Sequence, residues 1–218
     1  MIVISDRIPS ELRPTLLQST AITEAVAYPV PQLFFGRKTL QFDKRNSKDN
    51  DMHIDLIEAS EADLTTLQNL MQLYTHDFSE FWAGTQRGEL CGDGRFPDYP
   101  IHRYFERADW RAYLFKTADV LVGFALVNDE THSTLHADHS IAEFFVVRKH
   151  RGHGLGRLAA QRSFEQQCGS WEVAVARKNT LALRFWRAAI FGCKSVLNVS
   201  ELDSRTPNWD GPIIRFEV

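Results

Sequence analysis

Between Phe144 and Ala160 the chain reads FFVVRKHRGHGLGRLAA. An apolar run of strand character gives way to a cluster of bases, passes through glycines and enters a segment with helical patterning. The first N–H groups of a helix have no partner inside it and carry the positive end of its dipole, so the backbone alone stabilises an anion placed there. Gly152, Gly154 and Gly156 permit left-handed torsions and let a large ligand approach the main chain. Arg148, Lys149, His150, Arg151 and Arg157 surround the turn with positive charge. Together these features point to a ligand with several phosphates. A P-loop is excluded, because no Lys-Ser or Lys-Thr follows the glycines. A dinucleotide fingerprint fits at Gly152 and Gly154 but has Arg157 where its third glycine belongs.

Other residues could also do chemistry. Glu143 is a charge inside the otherwise apolar run Ile141–Val147. Burial there would raise its pKa toward that of a general base; the competing reading is a structural carboxylate paired with Arg111 or Arg148. Asn179 precedes a helical stripe, as an N-cap does. His132, His136 and His139 have a spacing that invites a metal, but they lie in a polar loop without helical pattern, and no metal is expected. Tyr74, His76 and Asp77 follow the first helical stripe and read more readily as a solvated helix end than as a pocket wall. Cys91, Cys168 and Cys193 show no paired spacing, which suggests reduced thiols, each read as a small buried hydrophobe.

The elements that must position these residues follow from periodicity. Residues 1–51 read as an N-terminal appendage ending in the polar linker Asp43–Asp51, and residues 52–218 as the main domain. A strand over His53–Glu58 is followed by a helix opening at Ser60 and Asp63, with apolar positions Leu64, Leu67, Leu70, Met71 and Tyr74. A glycine-rich loop and a short helix over Tyr99–Arg107 come next. Ala112–Phe115 and Leu121–Val127 form a hairpin about Thr117–Asp119. The run Ile141–Val147 suits a strand covered on both faces, and a helix follows over Gly154–Gln167, ended by Gly169. Trp171–Val175 is a strand. Leu181, Ala182, Phe185, Trp186 and Ala189 mark another helix, with Trp171 and Phe185 read as core. Ser195–Val199 and Pro212–Phe216 complete the set. This order predicts an α/β (α+β) fold, a mixed, mostly antiparallel sheet flanked by helices.

Bulk properties exclude several classes. A net charge of −3 and a pI near 6.2 argue against a general nucleic-acid binder. No apolar run approaches bilayer length, and the first residues lack a signal-peptide pattern, so a cytoplasmic protein is expected. Fifteen Phe and five Trp are enough aromatic volume for a substantial core.

Arg151, Gly154 and Gly156 match the pattern [Q/R]xxGx[G/A], which resembles the coenzyme A loop of the GNAT superfamily of N-acyltransferases. The resemblance spans about residues 52–218 and is densest over 141–191, where AEFFV, GSWEV and NTLALRFW also look like a bacterial acetyltransferase group within it. It implies a loop strand that carries a bulge and splays from its neighbour. Phe144, Phe145 and Val146 would then bind the pantetheine arm and polarise the thioester, while Arg151, Gly152, His153, Gly154, Leu155, Gly156 and Arg157 would hold the pyrophosphate. Asn179, Ala182 and Trp186 match the downstream pattern, with Asn179 bonding pantetheine or facing the acceptor. Trp186 stands where a thiolate-protonating Tyr is common, and indole N–H is no practical acid. Core packing is the simpler role for Trp186, which leaves Tyr74, Tyr99 and Tyr104 to be considered as acids. The implied partners are acetyl-CoA and an amine, either a small molecule or a protein amino group, in a monomer or homodimer. Glu143 would be the base. Asp77, Glu80, Glu89, Asp93 and Asp98 would make the acceptor side acidic. The alternative is a degenerate domain that binds acyl-CoA as a sensor or interaction module.

Overall fold

The computed structural model describes residues 53–86 and 88–218. The proposed appendage, residues 1–51, lies outside the described residues. The elements run β1 (Asp55–Glu58), α1 (Leu64–Ser79), α2 (Arg103–Glu106), β2 (Arg111–Thr117), β3 (Val120–Asn128), β4 (His139–Val146), α3 (Leu155–Phe164), β5 (Ser170–Ala174), α4 (Thr180–Phe191), β6 (Leu197–Arg205) and β7 (Asp210–Glu217). Seven strands form one sheet in the order β1-β2-β3-β4-β5-β7-β6. Only β4 and β5 pair in parallel; the other neighbours are antiparallel. This is the mixed, mostly antiparallel sheet flanked by helices that the periodicity predicts.

Each face of the sheet carries its own core. Ile141, Phe144 and Val146 pack with Ala159 and Phe164 of α3 and Ala182, Trp186 and Ala189 of α4. Phe124, Leu126, Ala142 and Phe145 pack with Leu67, Leu70, Met71, Tyr74 and Phe78 of α1 and Tyr104 of α2. Residues three apart on a regular strand face opposite sides, yet Ile141 and Phe144 share a core. The register explains this: Leu126 faces Glu143 while Val127 faces Ile141, so β4 holds one extra residue, Ala142. The bulge turns Ala142 and Glu143 together toward α1.

β4 stays with β5 for only two residue pairs, His139 with Trp171 and Ser140 with Glu172. Beyond Ser140 the strands part. The closed end of this V is pinned by Glu172, which is wholly buried. Its carboxylate accepts from the backbone N–H of His132 at 2.5 Å, from that of Ser133 at 3.1 Å and from Arg215 at 3.1 Å. A buried charge needs such partners on most of its lone pairs.

On its other edge β4 is fully committed to β3. Val147 N–H donates to the Val122 carbonyl at 2.9 Å. The Phe145 carbonyl also points to β3, only 2.0 Å from where a Cβ on Gly123 would sit. Antiparallel ladders alternate inward and outward peptide groups. The peptide groups of Phe144 and Val146 therefore face the open side of the V, where the Val146 carbonyl accepts from Arg151 Nε at 2.6 Å.

Several boundaries differ from the sequence reading, each for a local reason. α3 ends at Phe164 rather than Gln167, and Gly169 does not cap it; at φ +131° Gly169 instead begins the β5 edge, exchanging hydrogen bonds of 2.9 and 3.0 Å with Val218. β6 runs on to Arg205 through a polar, exposed stretch that carries no alternating signal. Of the helix expected over Tyr99–Arg107, only Arg103–Glu106 is α-helical. The hairpin turn sits at Ala118 and Asp119, both at positive φ, as a two-residue type I′ turn requires. No helix among the described residues is long and apolar enough to cross a membrane.

The tightness of the β3–β4 contact yields a prediction. Gly123→Ala drives a methyl group into the Phe145 carbonyl and should cost about 2 kcal/mol in urea unfolding, as overpacking does. An unchanged unfolding midpoint would contradict this reading of the register.

Candidate functional site

After β4 the chain makes a 3₁₀ turn over Arg148–His150, which had no periodic signal, and then the glycine loop. Gly152 and Gly154 adopt φ of +81° and +86°, conformations that a side chain would strain. Gly154 is the N-cap of α3. The first helical bond runs from Leu158 N–H to the Gly154 carbonyl at 3.1 Å, which leaves the amides of the first turn outside the ladder. They border an open cleft of about 360 Å³ lined by Val146, Arg151, Gly152, Gly154, Gly156, Arg157 and Phe185. A Cβ on Gly152 would meet nothing within 4 Å, so the loop faces open space. A Cβ on Gly156 would lie 3.4 Å from the Phe185 ring and 3.6 Å from Val146, so this glycine lets α3 approach α4 and β4 closely. His153 and Arg157 are exposed, while Leu155 turns its side chain into the core. The fold thus brings Val146 at the end of β4 and Arg151, Gly152, Gly154, Gly156 and Arg157 of the loop to one cleft, whose donors, glycines and basic rim suit a diphosphate.

Asp77 is the surprise of the site. It is buried near the end of α1, not solvated. Arg148 donates to its Oδ1 from Nε at 2.8 Å, and Arg151 to its Oδ2 at 2.6 Å. Burial works against the charged carboxyl, but the hydrogen bonds from Arg148 and Arg151 outweigh it and hold the group below its ordinary value of 3.8. Arg151 is fixed at three points: Asp77, the Val146 carbonyl and the face of Phe145, with its guanidinium 5.4 Å from the ring centroid. The acidic patch expected on the acceptor side is correspondingly weaker, since Asp77 is neutralised and Asp98 pairs with Arg95 at 3.1 Å. A hint was available in the sequence: Asp77 falls on the same stripe as Leu70, Tyr74 and Phe78.

Glu143 is wholly buried on the α1 face of β4. Neither structural partner considered for it is in place: Arg111 pairs with Glu58 at 3.2 Å and Arg148 with Asp77. Instead Tyr74 donates its phenolic hydrogen to Glu143 Oε2. Tyr99 packs, partly buried, against the core cluster that holds Tyr74 and Tyr104. Asn128 Nδ2 donates to the Tyr104 oxygen at 3.3 Å. Burial first, then the Glu143 charge, pushes the Tyr74 phenol far above its ordinary range. For Tyr99 and Tyr104 burial is again the leading cause, and these phenols too are strongly raised. All three are held protonated.

Trp186 is fully buried, edge-on to Phe144 at 5.1 Å between centroids, and its indole Nε1 has no hydrogen-bond partner among the described residues. Core packing describes its position. Phe185, read as core, is instead half-buried and lines the cleft. Asn179 is buried and caps α4, its Oδ1 accepting from Ala182 N–H at 3.0 Å. The three loop histidines go to separate partners. His132 stacks on Trp209 at 4.2 Å, His139 on Trp171 at 4.8 Å, and His136 lies 3.5 Å from Asp138. Of the cysteines only Cys193 is buried; Cys91 and Cys168 are exposed, contrary to expectation, because both lie on loops.

A bulged strand that parts from its parallel neighbour and feeds a glycine loop at a helix N-terminus defines a coenzyme A–type acyltransferase architecture. Residues 67–191 match the sequence profile described as the Acetyltransferase (GNAT) family. That match covers more than half of the chain, and the chain belongs to this family. Among solved structures, an acetyltransferase from Thermus thermophilus aligns at 16% identity and a TM-score of 0.50, over 76% of this chain and 96% of that one. The PaiA N-acetyltransferase from Thermoplasma acidophilum, solved in complex with coenzyme A, aligns at 11% identity and a TM-score of 0.50, over 77% of this chain and 100% of that one. These likenesses speak to the fold. No curated protein matches the chain.

The Asp77 clamp carries a pH-dependent consequence. Its folded pKa is depressed, so its stabilisation is present above the unfolded value and is lost as pH falls through the folded one. Asp77→Asn should therefore be less stable than wild type at pH 7, and the gap should narrow below the ordinary carboxyl value of 3.8. Thermal unfolding from pH 7 to pH 3 checks this; a gap independent of pH would contradict the charged clamp.

Proposed function

We propose that this chain transfers an acetyl group from acetyl-CoA directly to an amine. The observation that carries the reading is the continuity of two donor surfaces. The free amides of the α3 N-terminus lie at one end of the cleft, and the edge of β4 that is not paired with β5 continues from it into the V.

In this reading the amides from Gly152 to Arg157 hold the diphosphate, with Lys149 and Arg157 supplying the surrounding charge. Arg148 and Arg151, whose guanidinium groups are bound to Asp77, fix the loop to α1 rather than offering free cations. The outward peptide groups of Phe144 and Val146 bind the pantetheine arm; Phe145 contributes its ring rather than its backbone. The Val146 N–H is placed to stabilise charge developing on the thioester oxygen. Glu143, turned to the opposite face by the Ala142 bulge, accepts the proton that the amine must lose before attack. The amine, that of a small molecule or of a protein, approaches from the α1 and α2 side.

One observation favours a second reading, a coenzyme-binding module without turnover. Trp186 is packed in the core and offers no acid for the departing thiolate. The two readings separate in a single assay of thiol release across an amine panel, run beside coenzyme binding.

Glu143→Gln should lower kcat by about 100-fold, the usual worth of a general base, while leaving the Kd for acetyl-CoA within about twofold. An unchanged rate and pH profile would remove Glu143 from this role. Gly154→Trp should abolish coenzyme binding measured by calorimetry, because it fills the loop and denies the left-handed cap; retained affinity would overturn the loop assignment.

A further inference from the structure

Two glutamates of this sheet are wholly buried, and they are held in different ways. Glu172 on β5 and Glu143 on β4 are both at 0% exposure. Glu172 accepts from the Arg215 guanidinium at 3.1 Å and from two backbone N–H groups. A cation in contact favours the charged form of a carboxyl, so Glu172 is set against taking up a proton. Glu143 is held from α1 by a neutral donor, the Tyr74 hydroxyl, which donates to its Oε2. Arg111 is committed to Glu58, and Arg148 and Arg151 are committed to Asp77. On the same side of the sheet, Tyr104 of α2 and the partly buried Tyr99 before it share the core with Tyr74, and β3 contributes the apolar Phe124 and Leu126. His76, the other titratable group near this end of α1, is exposed.

Rings from three elements lock Tyr74 in place. Phe78 of α1 lies 6.3 Å away between centroids, Phe124 of β3 5.8 Å and Phe145 of β4 6.1 Å. The Ala142 bulge turns the Glu143 carboxyl toward that fixed hydroxyl. We propose that Tyr74 is the positioning residue of Glu143: its hydroxyl orients the carboxyl and holds it through both protonation states, an assignment that rests on the acetyltransferase reading above. A hydroxyl donates to a carboxylate oxygen and also to the carbonyl oxygen of the protonated acid. The bond therefore survives when Glu143 takes the amine proton, whereas an ion pair would lose its attraction at that step. It is stronger to the charged form, so it also offsets part of the cost of a carboxylate in the core. α1 thus carries two holding groups three residues apart: Tyr74 sets the base, and Asp77 sets the glycine loop.

The test compares Tyr74→Phe with wild type in full-length protein, since this change removes one oxygen and keeps the packed ring. The Glu143 side-chain carboxyl is titrated by ¹³C NMR, and kcat/KM is followed against pH with one amine for both proteins. Loss of a donor to the carboxylate should raise the Glu143 midpoint by about one pH unit. The acid limb of kcat/KM should move up with it, so that rates fall about tenfold below the midpoint and stay within about twofold on the plateau. Leu70→Ala, which removes bulk from the same stripe of α1, should lower the unfolding temperature and leave the Glu143 midpoint in place. An unchanged midpoint in Tyr74→Phe, or an equal shift in Leu70→Ala, would overturn the inference. If Tyr74→Phe does not fold, 3-fluorotyrosine in place of Tyr74 carries the test: the more acidic phenol donates more strongly, so the midpoint should fall, and a midpoint that stays or rises overturns the inference. Failure of the acetyltransferase reading shows separately, as wild-type protein that turns over no amine; the carboxyl titration needs no amine and still decides whether Tyr74 holds Glu143.

Discussion

The rest of the site depends on one constraint: β4 can pair with β5 for only two residue pairs before the strands part. A sheet edge inside a folded domain leaves backbone donors and acceptors that need partners. Here the edge opens beside a helix N-terminus whose amides are likewise unspent. The closed end of the V is held by the buried Glu172 and its bonds from the loop after β3 and from Arg215 on β7. The other edge of β4 is locked to β3 by a contact so close that Gly123 cannot carry a side chain. The parted strands are therefore a fixed feature of the sheet.

The Ala142 bulge divides the labour across β4. It lets Ile141 and Phe144 both serve the core under α3 and α4 while Glu143 faces α1. The outward peptide groups serve a donor on one side, and the carboxylate serves an acceptor on the other. Asp77 ties these sides together: it belongs to α1, yet the arginines it binds belong to the loop. Removing its charge would loosen the glycine loop from the helix that carries Tyr74, although Asp77 itself lies on neither proposed ligand path.

Much of this was legible in sequence, because local chemistry reports on local backbone. The glycines announced left-handed torsions, the apolar run announced a covered strand, and the family resemblance carried by Arg151, Gly154 and Gly156 implied the ligand class. Less was legible where the outcome depends on contacts distant in sequence. Asp77 reads as a solvated helix end until Arg148 and Arg151 are brought to it from more than seventy residues away. Tyr74, Tyr99 and Tyr104 are scattered in sequence and meet only in the core on the α1 face of the sheet. Phe185 and Trp186 both follow a helical period, and periodicity cannot tell which ring lines a cleft and which fills the core. β6 escaped notice in its polar half because an edge strand with exposed side chains shows no alternation.

The central claim is that the α3 N-terminus and the open edge of β4 together hold coenzyme A. A crystal structure of the complex with coenzyme A tests it most directly. The account predicts the diphosphate on the amides from Gly152 to Arg157, with the pantetheine arm running into the V and bonded to the peptide groups of Phe144 and Val146. A coenzyme bound elsewhere, or a V that stays closed to it, would contradict the account.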